Sequence, residues 1–273
     1  MEKKVVYTLA LTGYPHELTD LTFPWQKHYA EKIGADFQVI TKRKFPDWPP
    51  TAEKLQLWEL GQENDWTIFI DADALINPEF FDVTALVPKD TVLFTGQDMA
   101  AMRFRPNRYA LRDARYIGAC TWFVVCSDLT IDLWRPLDIS FDETVKEIFP
   151  TNGEVNCRIG DGTHGIGSDK LIEDYICSNN IARFGLKHAT IEGFLKPKFG
   201  RMYDSYYWHQ YTITLDEKVV QCLSVMNARG LLSDRWGIMP KETLKKYGDL
   251  IQKIRSQPPQ PTGQPMMMRP PGM

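Results

Sequence analysis

The segment Phe69-Ile70-Asp71-Ala72-Asp73-Ala74-Leu75-Ile76 sets two carboxylates, one small residue apart, at the end of an apolar run. A buried strand ending there would deliver both acids into one loop. Hard divalent cations such as Mg²⁺ and Mn²⁺ take oxygen ligands and are commonly shared between a few carboxylates and the phosphates of a substrate. Such an ion offsets the negative charge that builds on a departing diphosphate. The chemistry available to this pattern is therefore metal-assisted transfer from a diphosphate-bearing donor. The same tripeptide also suits a turn or a helix N-cap, because Asp readily accepts backbone hydrogen bonds. Its meaning rests on the elements that position it.

Those elements read as alternating strands and helices. Val5-Val6-Tyr7-Thr8-Leu9-Ala10-Leu11-Thr12 runs into Gly13 and predicts a buried parallel strand ending in a ligand-facing loop. Thr22 as a cap and Pro24 predict a helix start, with Trp25, Tyr29 and Ile33 at helical spacing up to Gly34. Phe37–Ile40 follows, and then Pro49-Pro50-Thr51 leads into a second helix carrying Leu55, Trp58 and Glu59 and closing near Gly61. Trp66–Ile70 predicts the third strand, and Val92–Thr95 and Ala119–Cys126 predict two more. The glycines between Gly160 and Gly167 predict a mobile loop or nest, followed by a helix from Asp169 to about Cys177. Pro240–Arg255 is the last periodic helical stretch. The expected fold is α/β, with a mostly parallel, Rossmann-like central sheet flanked by helices and a ligand site at the carboxyl ends of its strands. Asp71 sits at such an end.

A chain of 273 residues with 43% hydrophobic content can bury one substantial core, so a single domain is expected over residues 1–255. Pro258, Pro259, Pro261, Pro265, Pro270 and Pro271 mark residues 256–273 as a disordered Pro-rich tail. With 32 Lys and Arg against 35 Asp and Glu, the net charge of -3 does not advertise a polyanionic partner. The local exception is Arg103, Arg105, Arg108, Arg112 and Arg115, which could grip a donor diphosphate, a phosphorylated glycan or a nucleic-acid backbone. A solvated helix face explains the same stretch. Cys120, Cys126, Cys157, Cys177 and Cys222 are scattered, without zinc-type spacing, and read as reduced thiols. No apolar run approaches the roughly 18 residues of a membrane span, and Met1-Glu2-Lys3-Lys4 opens no signal peptide, so a cytoplasmic protein is expected.

In the order of these motifs the sequence resembles the GT-A fold glycosyltransferases, especially the group containing glycogenin and bacterial lipopolysaccharide galactosyltransferases, over most of residues 4 to 210. The hydrophobic strand followed by Asp71-Ala72-Asp73 is similar to the hallmark of that group. Thr12-Gly13-Tyr14 resembles its nucleotide-base edge, and Lys54-Leu55-Gln56-Leu57 resembles the basic residue and leucines on the helix before the acidic strand. Gly118-Ala119-Cys120-Thr121-Trp122-Phe123 loosely resembles a segment lining the sugar pocket. Gly167-Ser168-Asp169-Lys170-Leu171 resembles a polar segment opening a helix beside the reactive centre, and Gly193-Phe194-Leu195-Lys196-Pro197 resembles a Gly-x-x-Lys-Pro element.

The resemblance implies a nucleotide-sugar donor, a UDP-sugar in particular, held by Thr12, Tyr14, Lys54, Asp71, Ala72, Asp73 and Lys196, with Lys54 and Lys196 near its phosphates. It implies Mn²⁺ or Mg²⁺ at Asp71 and Asp73 and sugar transfer to the hydroxyl of a glycan, with retention of configuration. Transfer to a hydroxymethylated DNA base is the alternative that the arginine stretch would serve. Where that group carries a ligand histidine this chain has Thr190, which leaves His209 and His188 for the third position, His209 preferred. Asp169 is the candidate catalytic carboxylate, as a general base if the reaction inverts or an acceptor-positioning group if it retains, and Glu173 and Asp174 stand behind it. A sugar-phosphate nucleotidyltransferase is the competing enzyme class, but Thr12-Gly13-Tyr14-Pro15 lacks its Gly-rich phosphate loop. A non-catalytic sugar-nucleotide-binding protein is the third reading.

Overall fold

Lys4–Leu9 is β1, apolar and buried through its middle. It leads through Gly13, whose φ of 88° only glycine adopts readily, into the helix α1 (His16–Lys32) and then the strand β2 (Asp36–Ile40). A 3₁₀ helix over Pro50–Gln56 runs into the short α2 (Leu57–Leu60), ahead of β3 (Trp66–Ile70). All of β3 is buried, as its uncharged apolar sequence requires. The strands β4 (Leu75–Ile76), β5 (Thr91–Gln97) and β6 (Ala119–Ser127) follow, then the helix α3 (Ile172–Arg183) and the strands β7 (Lys187–Thr190) and β8 (Tyr207–Trp208). Three helices close the chain: α4 (Leu215–Ala228), α5 (Lys241–Lys246) and α6 (Gly248–Ser256). The computed structural model describes residues 2–97, 119–140, 143, 172–191, 193–194, 207–208, 214–233 and 235–256.

The six-stranded sheet runs in the order β2-β1-β3-β6-β5-β7. β1 is parallel to both β2 and β3, and β5 is parallel to β7, while β6 is antiparallel to β3 and β5. The fold is thus α/β with a mixed, mostly parallel sheet. The one reversed strand matters for the site. Because Ile70 pairs with Phe123, the beginning of β6 lies beside the end of β3.

Alternation along the strands sorts the core onto two faces. Val6, Ile68 and Ile70 pack with Tyr29, Ala30 and Ile33 of α1. Val5, Tyr7 and Phe69 pack on the other face with Leu57, Leu133, Trp134 and the α3 residues Cys177 and Ile181. A third cluster joins Leu18, Leu21 and Trp25 of α1 to Val219, Cys222, Leu223 and Met226 of α4. Burying each large side chain of this kind contributes about 2 kcal/mol.

Several expected boundaries move. The first helix begins at His16 rather than near Thr22, because Pro15 presets its entry and Pro24 is accommodated inside the helix. The second helix is largely 3₁₀, with the adjacent Glu53 and Lys54 both buried. The last helical stretch is divided at Tyr247, whose hydroxyl donates to the Glu17 carbonyl at 3.3 Å. The arginine stretch 103–115, the glycine-rich segment 160–167 and the tail 257–273 lie outside the described residues. Among the described residues no helix is long and apolar enough to cross a membrane.

α4 was not expected, although its start carries a legible signal. Thr214 accepts from the Glu217 amide while the Glu217 carboxylate accepts from the Thr214 amide, a reciprocal capping box. Thr214→Ala is expected to cost about 1 kcal/mol in urea unfolding, with Thr214→Ser close to the parent. Equal stability of parent and alanine variant would contradict that role.

Candidate active site

β3 ends in a turn that carries a half-buried Asp71 and a buried Asp73 on an anchored backbone. The Asp71 amide donates to the Trp122 carbonyl at 2.8 Å, and the Ala74 amide donates to the Asp71 carbonyl at 2.9 Å. From α1, the buried Gln26 side-chain amide donates to the Asp71 carbonyl at 2.9 Å and the Ala74 carbonyl at 2.8 Å. Thr22, also buried, donates to the Ala72 carbonyl at 2.5 Å. The turn's carbonyls are therefore tied to α1. Ala72 is itself buried, so a larger residue would have to displace its surroundings.

Each carboxylate draws a lysine. Lys54 Nζ lies 2.9 Å from Asp71 Oδ1, 3.5 Å from Glu173 Oε1 and 3.4 Å from Thr121 Oγ1, over the face of the Phe69 ring. The Lys54 side chain is only 6% exposed. Burial alone would lower its pKa, but Asp71 first, then Glu173 and Asp174, outweigh burial and hold the ammonium well above the ordinary lysine range. Asp174 accepts from the Thr121 hydroxyl at 2.5 Å and the Thr121 amide at 3.0 Å, fixing the start of β6 to the first turn of α3. Burial pushes the Glu173 carboxyl up against the pull of Lys54, and its Oε2 has no hydrogen-bond partner among the described residues. One ammonium thus stands among Asp71, Glu173 and Asp174, with burial favouring the neutral form of Glu173.

Asp73 pairs instead with Lys218 of α4, 145 residues away in sequence. The Lys218 side chain is 20% exposed, more than that of Lys54, while the Asp73 side chain is 12% exposed. Tyr14 follows the Gly13 turn, its amide donating to the Leu11 carbonyl at 2.8 Å. Burial, then the charges of Asp73 and Asp71, hold its phenol well above the ordinary range, so it stays neutral and able to donate. Thr12 is exposed, and its amide donates to the Thr41 carbonyl at 3.3 Å beyond the end of β2.

The structure therefore brings Tyr14, Lys54, Asp71, Ala72 and Asp73 together, with Thr12 two residues from Tyr14. It adds Glu173, Asp174, Thr121 and Lys218, of which sequence reasoning missed Lys218. Its signal was the capping box, which marks a helix start at Leu215, three residues before it. His188 lies in β7, stacked on Phe94, three strands from β3 and so about 14 Å across the sheet. Thr190 Oγ1 accepts from the Gly193 amide at 3.0 Å. Asp169, Lys196 and His209 lie outside the described residues.

Removing the Lys54 ammonium would leave neighbouring buried acids without their counter-ion. Lys54→Met is expected to destabilise the protein by about 3–5 kcal/mol in urea unfolding at neutral pH. A loss below about 1 kcal/mol, the range of an exposed pair, would contradict the buried cluster.

No protein-family profile matches the chain, and no curated protein matches it. Among solved structures the chain is similar to a glycosyltransferase involved in the glycosylation of the major capsid of PBCV-1, at 10% identity and a TM-score of 0.43, over 80% of this chain and 98% of that one. It is also similar to the galactosyltransferase LgtC, solved with donor and acceptor sugar analogues, at 13% identity and a TM-score of 0.37, over 68% of this chain and 73% of that one. Likeness this distant leaves the roles of Asp71, Asp73 and their neighbours to be argued from their own geometry.

Proposed function

We propose that the chain is a glycosyltransferase that moves a sugar from a nucleoside-diphosphate sugar, a UDP-sugar by resemblance, to an acceptor hydroxyl, with Mn²⁺ or Mg²⁺ at Asp71 and Asp73. The observation that carries this reading is the acidic turn at the carboxyl end of the buried β3, anchored from behind by Thr22 and Gln26. Ligands of α/β sheets bind at such ends. The donor set fits a hard divalent cation, because both side chains offer carboxylate oxygens. Among the described residues no third His, Cys, Asp or Glu joins them in a metal-binding group, and cations of this kind are commonly completed by water and substrate phosphates. When bound, the ion would stabilise negative charge developing on the departing nucleoside diphosphate.

The chain's own residues supply preorganisation. Lys54 fixes the Asp71 carboxylate from the core side, so that little reorganisation is needed during reaction. Thr12 and Tyr14 border the nucleotide in this reading, with the neutral Tyr14 phenol available as a donor beside the acids. Lys196 is assigned to the diphosphate. Asp169 is assigned to the acceptor side, where it positions the hydroxyl in a retaining reaction or takes its proton in an inverting one. His209 is assigned as a further metal ligand. Supporting that assignment, it directly follows Trp208, which pairs with Leu75, two residues beyond Asp73. A glycan hydroxyl is the proposed acceptor.

Asp73→Asn removes one charge from the motif without emptying the Lys54 cluster. With Mn²⁺ and a panel of UDP- and GDP-sugars, donor turnover measured as nucleoside diphosphate release is expected to fall about 100-fold or more. Thermal unfolding should show the variant still folded. Unchanged turnover would contradict the assignment.

A further inference from the structure

Lys54 and Lys218 meet the acidic turn under different constraints. Lys54 is 6% exposed and lies within ion-pair distance of both Asp71 and Glu173. Lys218 is 20% exposed and has Asp73 as its ion-pair partner among the described residues. A cation shared among several acids is held by all of them, whereas an ammonium with one carboxylate partner leaves that partner compensated when a divalent cation takes its place.

The position of Lys218 is nonetheless well fixed. It lies in the first turn of α4, behind the Thr214–Glu217 capping box, and α4 is docked on α1 through Val219, Cys222, Leu223 and Met226 against Leu18, Leu21 and Trp25. That apolar contact holds α4 in place without the ion pair. The ammonium at Asp73 therefore acts on the charge of the turn more than on the docking of the helix.

We propose that Lys218 is a built-in, exchangeable counter-ion of Asp73: it occupies the carboxylate before a divalent cation enters, competes with that cation, and on displacement turns its charge onto the donor diphosphate. This rests on the donor-site reading above. Its consequence is coupling. A divalent ion alone must displace the ammonium and binds weakly, whereas ion and diphosphate together give the displaced ammonium an anionic partner. By linkage, each then favours the other by the same factor.

The test is Mn²⁺ binding by the full chain, read from the electron paramagnetic resonance signal of free Mn²⁺ with and without UDP. Lys218→Met keeps the apolar stem and removes the charge. It is expected to bind Mn²⁺ alone about 10-fold more tightly than the parent, while the gain in Mn²⁺ affinity conferred by UDP shrinks about 10-fold. Lys218→Arg should behave like the parent. A Lys218→Met protein with lower thermal stability but unchanged Mn²⁺ affinity would overturn the proposal, reduce Lys218 to a tether and leave the donor site standing. Absence of Mn²⁺ binding to parent and variant alike, with and without UDP, would overturn both.

A second measurement needs no variant. Acylation of Lys218 in the parent, followed by mass spectrometry, should speed up with Mn²⁺ and slow below the starting rate with Mn²⁺ and UDP together. Equal rates in the three states would overturn the exchange.

Discussion

A single ammonium, Lys54 Nζ, sits among acids from two separate parts of the chain, and the arrangement around it depends on that charge. Asp71 comes from the end of β3, while Glu173 and Asp174 come from the first turn of α3. The lysine itself comes from the 3₁₀ segment before α2. Bringing these acids together without a cation would concentrate uncompensated charge in a region that excludes water, at a cost of several kcal/mol. With the cation present, the same acids become fixed points. Asp174 gathers the start of β6 through Thr121, and Asp71 is held at the carboxyl end of the central strand.

A second layer of constraint acts on the backbone. Thr22 and Gln26 are polar residues on the buried face of α1, where burial is costly unless their hydrogen bonds are met. Their donors meet the carbonyls of Asp71, Ala72 and Ala74, while Gln26 Oε1 has no hydrogen-bond partner among the described residues. β8 then pairs with β4 directly after the turn, bringing residues 207–208 of the chain against Leu75 and Ile76. The acidic turn is thus braced from α1, β6 and β8, while α4 approaches Asp73 through Lys218.

Much of the scaffold was legible because it follows local pattern. Trp66–Ile70 reads as a buried strand and is one, and the run beginning at Ala119 is a central strand. Its antiparallel direction was not legible, since an apolar run carries no sign of orientation. The α1 start was misplaced because Pro24 read as a helix opening, when Pro15 already supplies that entry. The acids at 71 and 73 stood out by spacing. The environment of Lys54 did not, because Glu173 and Asp174 reach it from 119 and 120 residues further along the chain and only the folded sheet makes them neighbours. Lys218 was hidden for the same reason, behind a capping box that announces a helix but not what the helix faces.

The account holds that this charged turn binds a nucleoside-diphosphate sugar through a divalent cation. Calorimetric titration of the protein with UDP- and GDP-sugars, with Mn²⁺ present and with Mn²⁺ withheld, tests that claim most directly. Saturable binding of at least one donor that requires the metal is the predicted result. Binding of no donor, or binding of equal strength with and without Mn²⁺, would contradict it.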